Sequence, residues 1–88
     1  VTFEATEEFW RNFYRLSSKD KESVREKWQI FKSDPFDPRL RSHTIHKLSA
    51  IARHTILSAV ISGDLRVLFR VDGSVVTTPD VGSHALYR

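Results

Sequence analysis

Cysteine is absent from this chain of 88 residues, so disulfides and thiolate metal sites are excluded. A reducing compartment is thereby permitted, and a cytoplasmic location is the expectation. Methionine is absent too, so residue 1 is expected to follow a trimmed or processed start. No apolar run approaches the roughly 20 residues of a membrane span, and no signal-peptide pattern opens the sequence, so no membrane partner is expected. There is no glycine-rich phosphate loop, nucleophile elbow or metalloprotease helix motif. Zinc fingers and basic zippers are missing as well. The length fits one domain, residues 1–88, with little room for a deep active-site cavity.

What is present is unevenly distributed. The net charge is only +3, but residues 1–38 carry seven Lys/Arg against eight Asp/Glu, and residues 39–88 carry seven against three. All four histidines, His43, His46, His54 and His84, lie in that second part. Such a distribution predicts a basic face on the C-terminal half that meets a polyanion.

Periodicity gives the elements. Val1 to Ala5 alternates apolar and polar and suits a short first strand. Thr6 caps a helix whose first turn holds Glu7 and Glu8, and whose stripe is Phe9, Phe13 and Leu16, with Trp10 and Tyr14 alongside. Ser17-Ser18 breaks the chain and caps a second helix with Val24, Trp28 and Phe31 on one stripe, ending before Asp34-Pro35. The aromatic stripes read as core.

Residues 34–43 form a proline-stiffened irregular link, and a strand begins at Thr55. Ser62-Gly63 and Asp72-Gly73 turn two hairpins, and Ser74–Thr78 returns. The expected class is α+β. Two N-terminal helices pack on one face of a four-stranded mixed sheet in the order β-α-α-β-β-β, and the opposite face is left for function.

That open face carries the candidate chemistry. Arg66 alternates with the core positions Leu65 and Val67 and so stands outward, where a planar, permanently charged fork fits a phosphate. Arg70 shares its face nearer the turn, in a positioning role. His84 follows Gly82-Ser83, and a histidine is the natural proton carrier near neutral pH. His46-Lys47 precedes the second strand and offers an imidazole or an ammonium. Asp64 either orients a histidine or shapes its turn, and His54 reads as structural. His43 and His46 have the i, i+3 spacing of metal ligands, but no further ligand is nearby and no metal is expected. Arginines beside a histidine and Tyr87 suit cleavage of RNA, whose own 2′-hydroxyl attacks the neighbouring phosphate and requires no cofactor.

Several segments together resemble the RelE/ParE superfamily, the toxic halves of type II toxin–antitoxin pairs, also described as plasmid-stabilisation proteins. They are the aromatic-rich helical pair, Asp34-Pro35-Phe36-Asp37-Pro38-Arg39-Leu40, His46-Lys47-Leu48, Gly63 to Phe69, and Asp80-Val81-Gly82-Ser83-His84. The resemblance covers essentially the whole chain and implies a ribosome-dependent endoribonuclease that cuts messenger RNA and is held in check by a cognate antitoxin. It makes Arg66 the contact to the scissile phosphate, His84 a proton-transfer group and Tyr87 the terminal aromatic. His46 or Lys47 supplies acid, base or charge, and Asp64 matches an aspartate used in some members. Lys47, Arg70 and Arg41 are the remaining RNA-binding candidates. The chain departs from the family at Ser83, at Ala85-Leu86-Tyr87, which is one residue short of the usual motif, and at Val60, where some members carry a second histidine. Two alternatives follow from the same resemblance: a ParE-like inhibitor of DNA gyrase that cuts nothing, and a non-catalytic fold kept for antitoxin binding.

Overall fold

A computed structural model describes residues 2–52 and 54–83, with the side chain of Ala52 left aside. The elements run β1 Thr2–Ala5, α1 Glu7–Tyr14, α2 Ser18–Ser33, a 3-10 turn Pro38–Leu40, β2 His43–Thr44, α3 His46–Ala52, β3 Leu57–Ser62, β4 Leu65–Asp72 and β5 Val75–Ser83. The sheet order is β1-β5-β4-β3-β2, with β1 parallel to β5 and every other pair antiparallel. The class is α+β, as the sequence pattern predicts. No helix among the described residues is long and apolar enough to cross a membrane.

Both N-terminal helices begin where their caps place them. The Thr6 hydroxyl accepts from the Phe9 N–H at 3.1 Å and donates to the Pro79 carbonyl at 2.7 Å, so one side chain starts α1 and ties it to β5. Ser17 caps α2 in the same way, accepting from the Asp20 N–H at 3.1 Å. Phe9 and Phe13 of α1 join Val24, Ile61, Leu65, Val67 and Val81 in one buried cluster. Phe31 of α2 joins Leu40, Ala59, Phe69 and Val76 in a second. The inward set on β4 is therefore Leu65, Val67 and Phe69, and Arg66, Leu68 and Arg70 face the other way.

Three expectations need correction. The sheet has five strands, because His43–Thr44 pairs with Ser58 and Leu57 inside what reads as an irregular link. A third helix, His46–Ala52, fills the segment between the link and β3, to which the sequence pattern assigns no element. The Ser49 hydroxyl stitches it down, donating to the Ile45 carbonyl at 2.8 Å and accepting from the Ile56 N–H at 2.8 Å. Finally, β5 does not stop at Thr78 but runs through Pro79 to Ser83. Leu68 pairs with Asp80 and Arg70 with Thr77, so Thr78 and Pro79 together oppose Phe69. This bulge absorbs a residue that cannot donate to the ladder and keeps Val76 and Val81 on the buried face.

Candidate active site

Arg66 projects from β4 between two buried neighbours and is itself half-buried. Its cross-strand partners are Val60 on β3 and Gly82 on β5. Gly82 has no side chain, so the sheet is notched beside the arginine. The guanidinium curls toward the β3–β4 turn: Nη1 donates to the Gly63 carbonyl at 2.6 Å and to the Leu65 carbonyl at 3.1 Å. Nε is buried and meets no acceptor among the described residues. Among the described residues no carboxylate pairs with the Arg66 guanidinium, whose Nη1 hydrogen bonds go to carbonyls of its own turn.

Arg70 lies four residues along the same face, roughly 13 Å away by strand geometry. Its Nε approaches Asp72 Oδ2 at 3.2 Å, close enough for an ion pair but not aligned as a hydrogen bond. Between the two arginines the face is not bare. Ser58 and Leu68 are paired across β3 and β4, and both are buried although neither belongs to the two core clusters.

The other candidates are more dispersed. Asp64 is exposed at the tip of the β3–β4 turn, where Gly63 takes φ 51°, a conformation that glycine tolerates. No hydrogen bond or ion pair joins Asp64 to a histidine among the described residues. His46 opens α3 and Lys47 follows it, both exposed. Arg41 is exposed after the 3-10 turn with φ 48° and ψ 40°, the left-handed region that is uncommon outside glycine. His84 and Tyr87 lie outside the described residues. Ser83, the residue before His84, pairs with Leu65, next to Arg66. No group of three His, Asp or Glu side chains is placed to hold a metal ion among the described residues.

Two features escape the sequence pattern. One is that β2 adds His43 to the sheet. The other is a groove of about 530 Å³ between β1, α1 and α2, lined mainly by Phe3, Phe9, Trp10, Phe13 and Trp28. Trp10 and Tyr14 were grouped with the core stripe, yet they are 46% and 66% exposed. Two cations stand at this side: Arg25 lies 5.7 Å from the Phe13 ring centroid and Lys21 5.9 Å from that of Tyr14. The outer edge of β1, which pairs with no strand among the described residues, borders the groove. Thr2 and Thr6 donate to Ser74 and Thr78, so the N–H groups of Phe3 and Ala5 point away from β5. Helical spacing identifies an apolar stripe, but it does not tell which part of that stripe the sheet will cover.

No protein-family model and no curated protein matches the chain. Solved structures do. The RelE–RelB complex from Pyrococcus horikoshii OT3 is similar at 14% identity and a TM-score of 0.72, over 94% of this chain and 93% of that one. The YoeB/ParE toxin from Agrobacterium tumefaciens is similar at 17% identity and 0.73, over 96% and 99%. The DinJ–YafQ complex from E. coli is similar at 15% identity and 0.64, over 96% and 93%. The chain has the fold of the RelE/ParE-like toxins.

Proposed function

We propose that this chain is the toxin of a type II toxin–antitoxin pair, and that it acts as a metal-independent endoribonuclease on messenger RNA in the ribosome. The observation that carries this reading is Arg66: an arginine with no carboxylate partner among the described residues, beside the Gly82 notch, on the sheet face opposite α1 and α2. The fold shared with RelE, YoeB and YafQ supports it.

In this reading RNA supplies its own nucleophile. A base takes the 2′-hydroxyl proton, the 2′-oxygen bonds to phosphorus, and the bond from phosphorus to the 5′-oxygen breaks. The products are a 2′,3′-cyclic phosphate and a 5′-hydroxyl, the leaving oxygen having received a proton. Arg66 exchanges the Gly63 and Leu65 carbonyls for the phosphate oxygens and balances charge as it builds in the transition state. Arg70, Arg41 and Lys47 hold neighbouring phosphates. The resemblance supplies His84, Tyr87, the His46–Lys47 pair and Asp64 for proton transfer and its support.

The partner in this reading is an antitoxin. Two similar structures are complexes of a toxin with a second protein. On this chain the groove beside β1 offers an apolar lining, a strand edge unpaired among the described residues and the cations Lys21 and Arg25, which suit an apolar segment bearing carboxylates. The whole reading is tested by adding the protein to translating ribosomes and mapping message ends. Cuts at the A-site codon support it. Intact messages together with gyrase-dependent DNA breaks replace it with gyrase inhibition.

A further inference from the structure

We infer that Asn12 of α1 is a positioning residue of the site: it holds the Asp80 carboxylate at the outer edge of β5 and so keeps Arg66 available to a phosphate. This inference rests on the endoribonuclease reading and explains within it how the arginine escapes neutralisation.

The register makes Asp80 the carboxylate that Arg66 would ordinarily meet. Arg66 pairs with Gly82 and Leu68 pairs with Asp80, so Asp80 is a diagonal cross-strand neighbour of Arg66. Directly paired residues of antiparallel strands project to one side, so Asp80 leaves β5 on the arginine side of the sheet. Diagonal neighbours stand about 7–8 Å apart, which an arginine and a carboxylate can span. Gly82 adds no side chain beside them. The other arginine of this face is already engaged, since Arg70 Nε lies 3.2 Å from Asp72 Oδ2.

Arg66 and Asp80 nevertheless do not meet. Asp80 Oδ1 accepts from Asn12 Nδ2 at 2.7 Å and from the Val81 N–H at 2.8 Å, while Arg66 turns to the Gly63 and Leu65 carbonyls. The reason lies in how β5 is covered. Strand β1 ends at Ala5 opposite Thr78, so beyond that point the outer edge of β5 has no strand beside it among the described residues. Helix α1 continues there instead, tied to the Pro79 carbonyl by the Thr6 hydroxyl and to the core by Phe9 and Phe13. The Asp80 carboxylate satisfies the Val81 N–H at this edge, and the Asn12 amide fixes it there. The same amide reaches Glu8 Oε1 at 3.3 Å.

Both residues run against local preference. Asparagine is a weak helix former within α1, and aspartate is disfavoured within a strand such as β5. Helix α1 does not depend on Asn12 for docking, because Thr6, Phe9 and Phe13 already provide it. Choices that break a local rule without serving the core are expected where function sets them.

Single-turnover cleavage on programmed ribosomes tests the tie. Asn12→Ala frees the Asp80 carboxylate to pair with Arg66 and is expected to lower the rate about fivefold, the weight of one cross-strand pair of opposite charges, with the thermal midpoint retained. Asp80→Asn keeps an oxygen for the Val81 N–H, removes the charge, and is expected to cut at least as fast as wild type. Combining Asp80→Asn with Asn12→Ala is expected to bring the rate back to within about twofold of wild type. A residue that only supports the fold is not rescued by removing its partner's charge. The Arg66 Nε–Hε resonance is expected to shift in Asn12→Ala and to return in the double variant. Wild-type cleavage by Asn12→Ala, a loss that the double variant does not restore, or slow cleavage by Asp80→Asn alone overturns the assignment and leaves the nuclease reading intact. A wild-type protein that cuts nothing removes the nuclease reading and this inference with it.

Discussion

Replacing Arg66 by alanine separates activity from stability, and the structure gives the size of both effects. The loss of two hydrogen bonds to the Gly63 and Leu65 carbonyls is the cost to the fold. Bonds from a charged donor contribute about 1.5–3 kcal/mol each when well shielded, and less here because the Gly63 contact is exposed. Against this, the substitution removes a buried Nε that meets no acceptor among the described residues, a penalty of about 1–3 kcal/mol. The two nearly cancel, so the net change falls within about 1 kcal/mol, or roughly 4–8 °C in a domain of this size. Activity behaves otherwise. Removing one preorganised charge contact typically lowers the rate about 10²–10³-fold. Circular dichroism melts combined with single-turnover cleavage on ribosomes measure both. A folded Arg66→Ala protein that cuts at the wild-type rate refutes the role given to Arg66. A fall of more than about 15 °C in the midpoint refutes the claim that Arg66 serves function rather than packing.

Other outcomes follow from packing and charge. Phe69 is fully buried with the Phe31 ring edge-on at 5.0 Å, so Phe69→Ala is expected to cost about 3–5 kcal/mol in urea unfolding, whereas Val71→Ala on the exposed end of β4 costs little. Trp10→Ala is expected to leave the melt within a few degrees but to weaken antitoxin binding at least about tenfold in calorimetry, as for an exposed aromatic anchor. Asp37 is held at a pKa of about 2 by the Arg39 side-chain hydrogen bonds first and the Arg39 N–H second. Its folded value lies below the ordinary value of 3.8, so its contribution is complete above that pH and is lost as pH falls through about 2. Carbon-13 titration of the carboxyl is expected to show that midpoint, and Arg39→Ala to raise it.

Much of the fold was legible because the strongest local signals agree with the tertiary structure. Thr6 and Ser17 cap the helices, Phe9, Phe13, Val24 and Phe31 fill the core, and Leu65-Arg66-Val67 alternates as a half-buried strand must. The misses have physical causes. A strand of two residues has no period, so β2 is defined only by its partner on β3. Helix α3 lacks an amphipathic signature, with Ile51 73% exposed, and is fixed by the Ser49 hydroxyl rather than by a stripe. Pro79 reads as a strand terminator until the bulge opposite Phe69 is known. The outward position of Arg66 between Leu65 and Val67 was legible from alternation alone. The face of His43 depends on a long-range register that no local pattern carries.

Primer-extension mapping of messenger RNA on translating ribosomes tests the central claim most directly. The account predicts new 5′ ends within the A-site codon, formed by the wild-type protein in the presence of a chelator and lost with Arg66→Ala. Messages that remain intact at protein concentrations saturating the ribosome would contradict it.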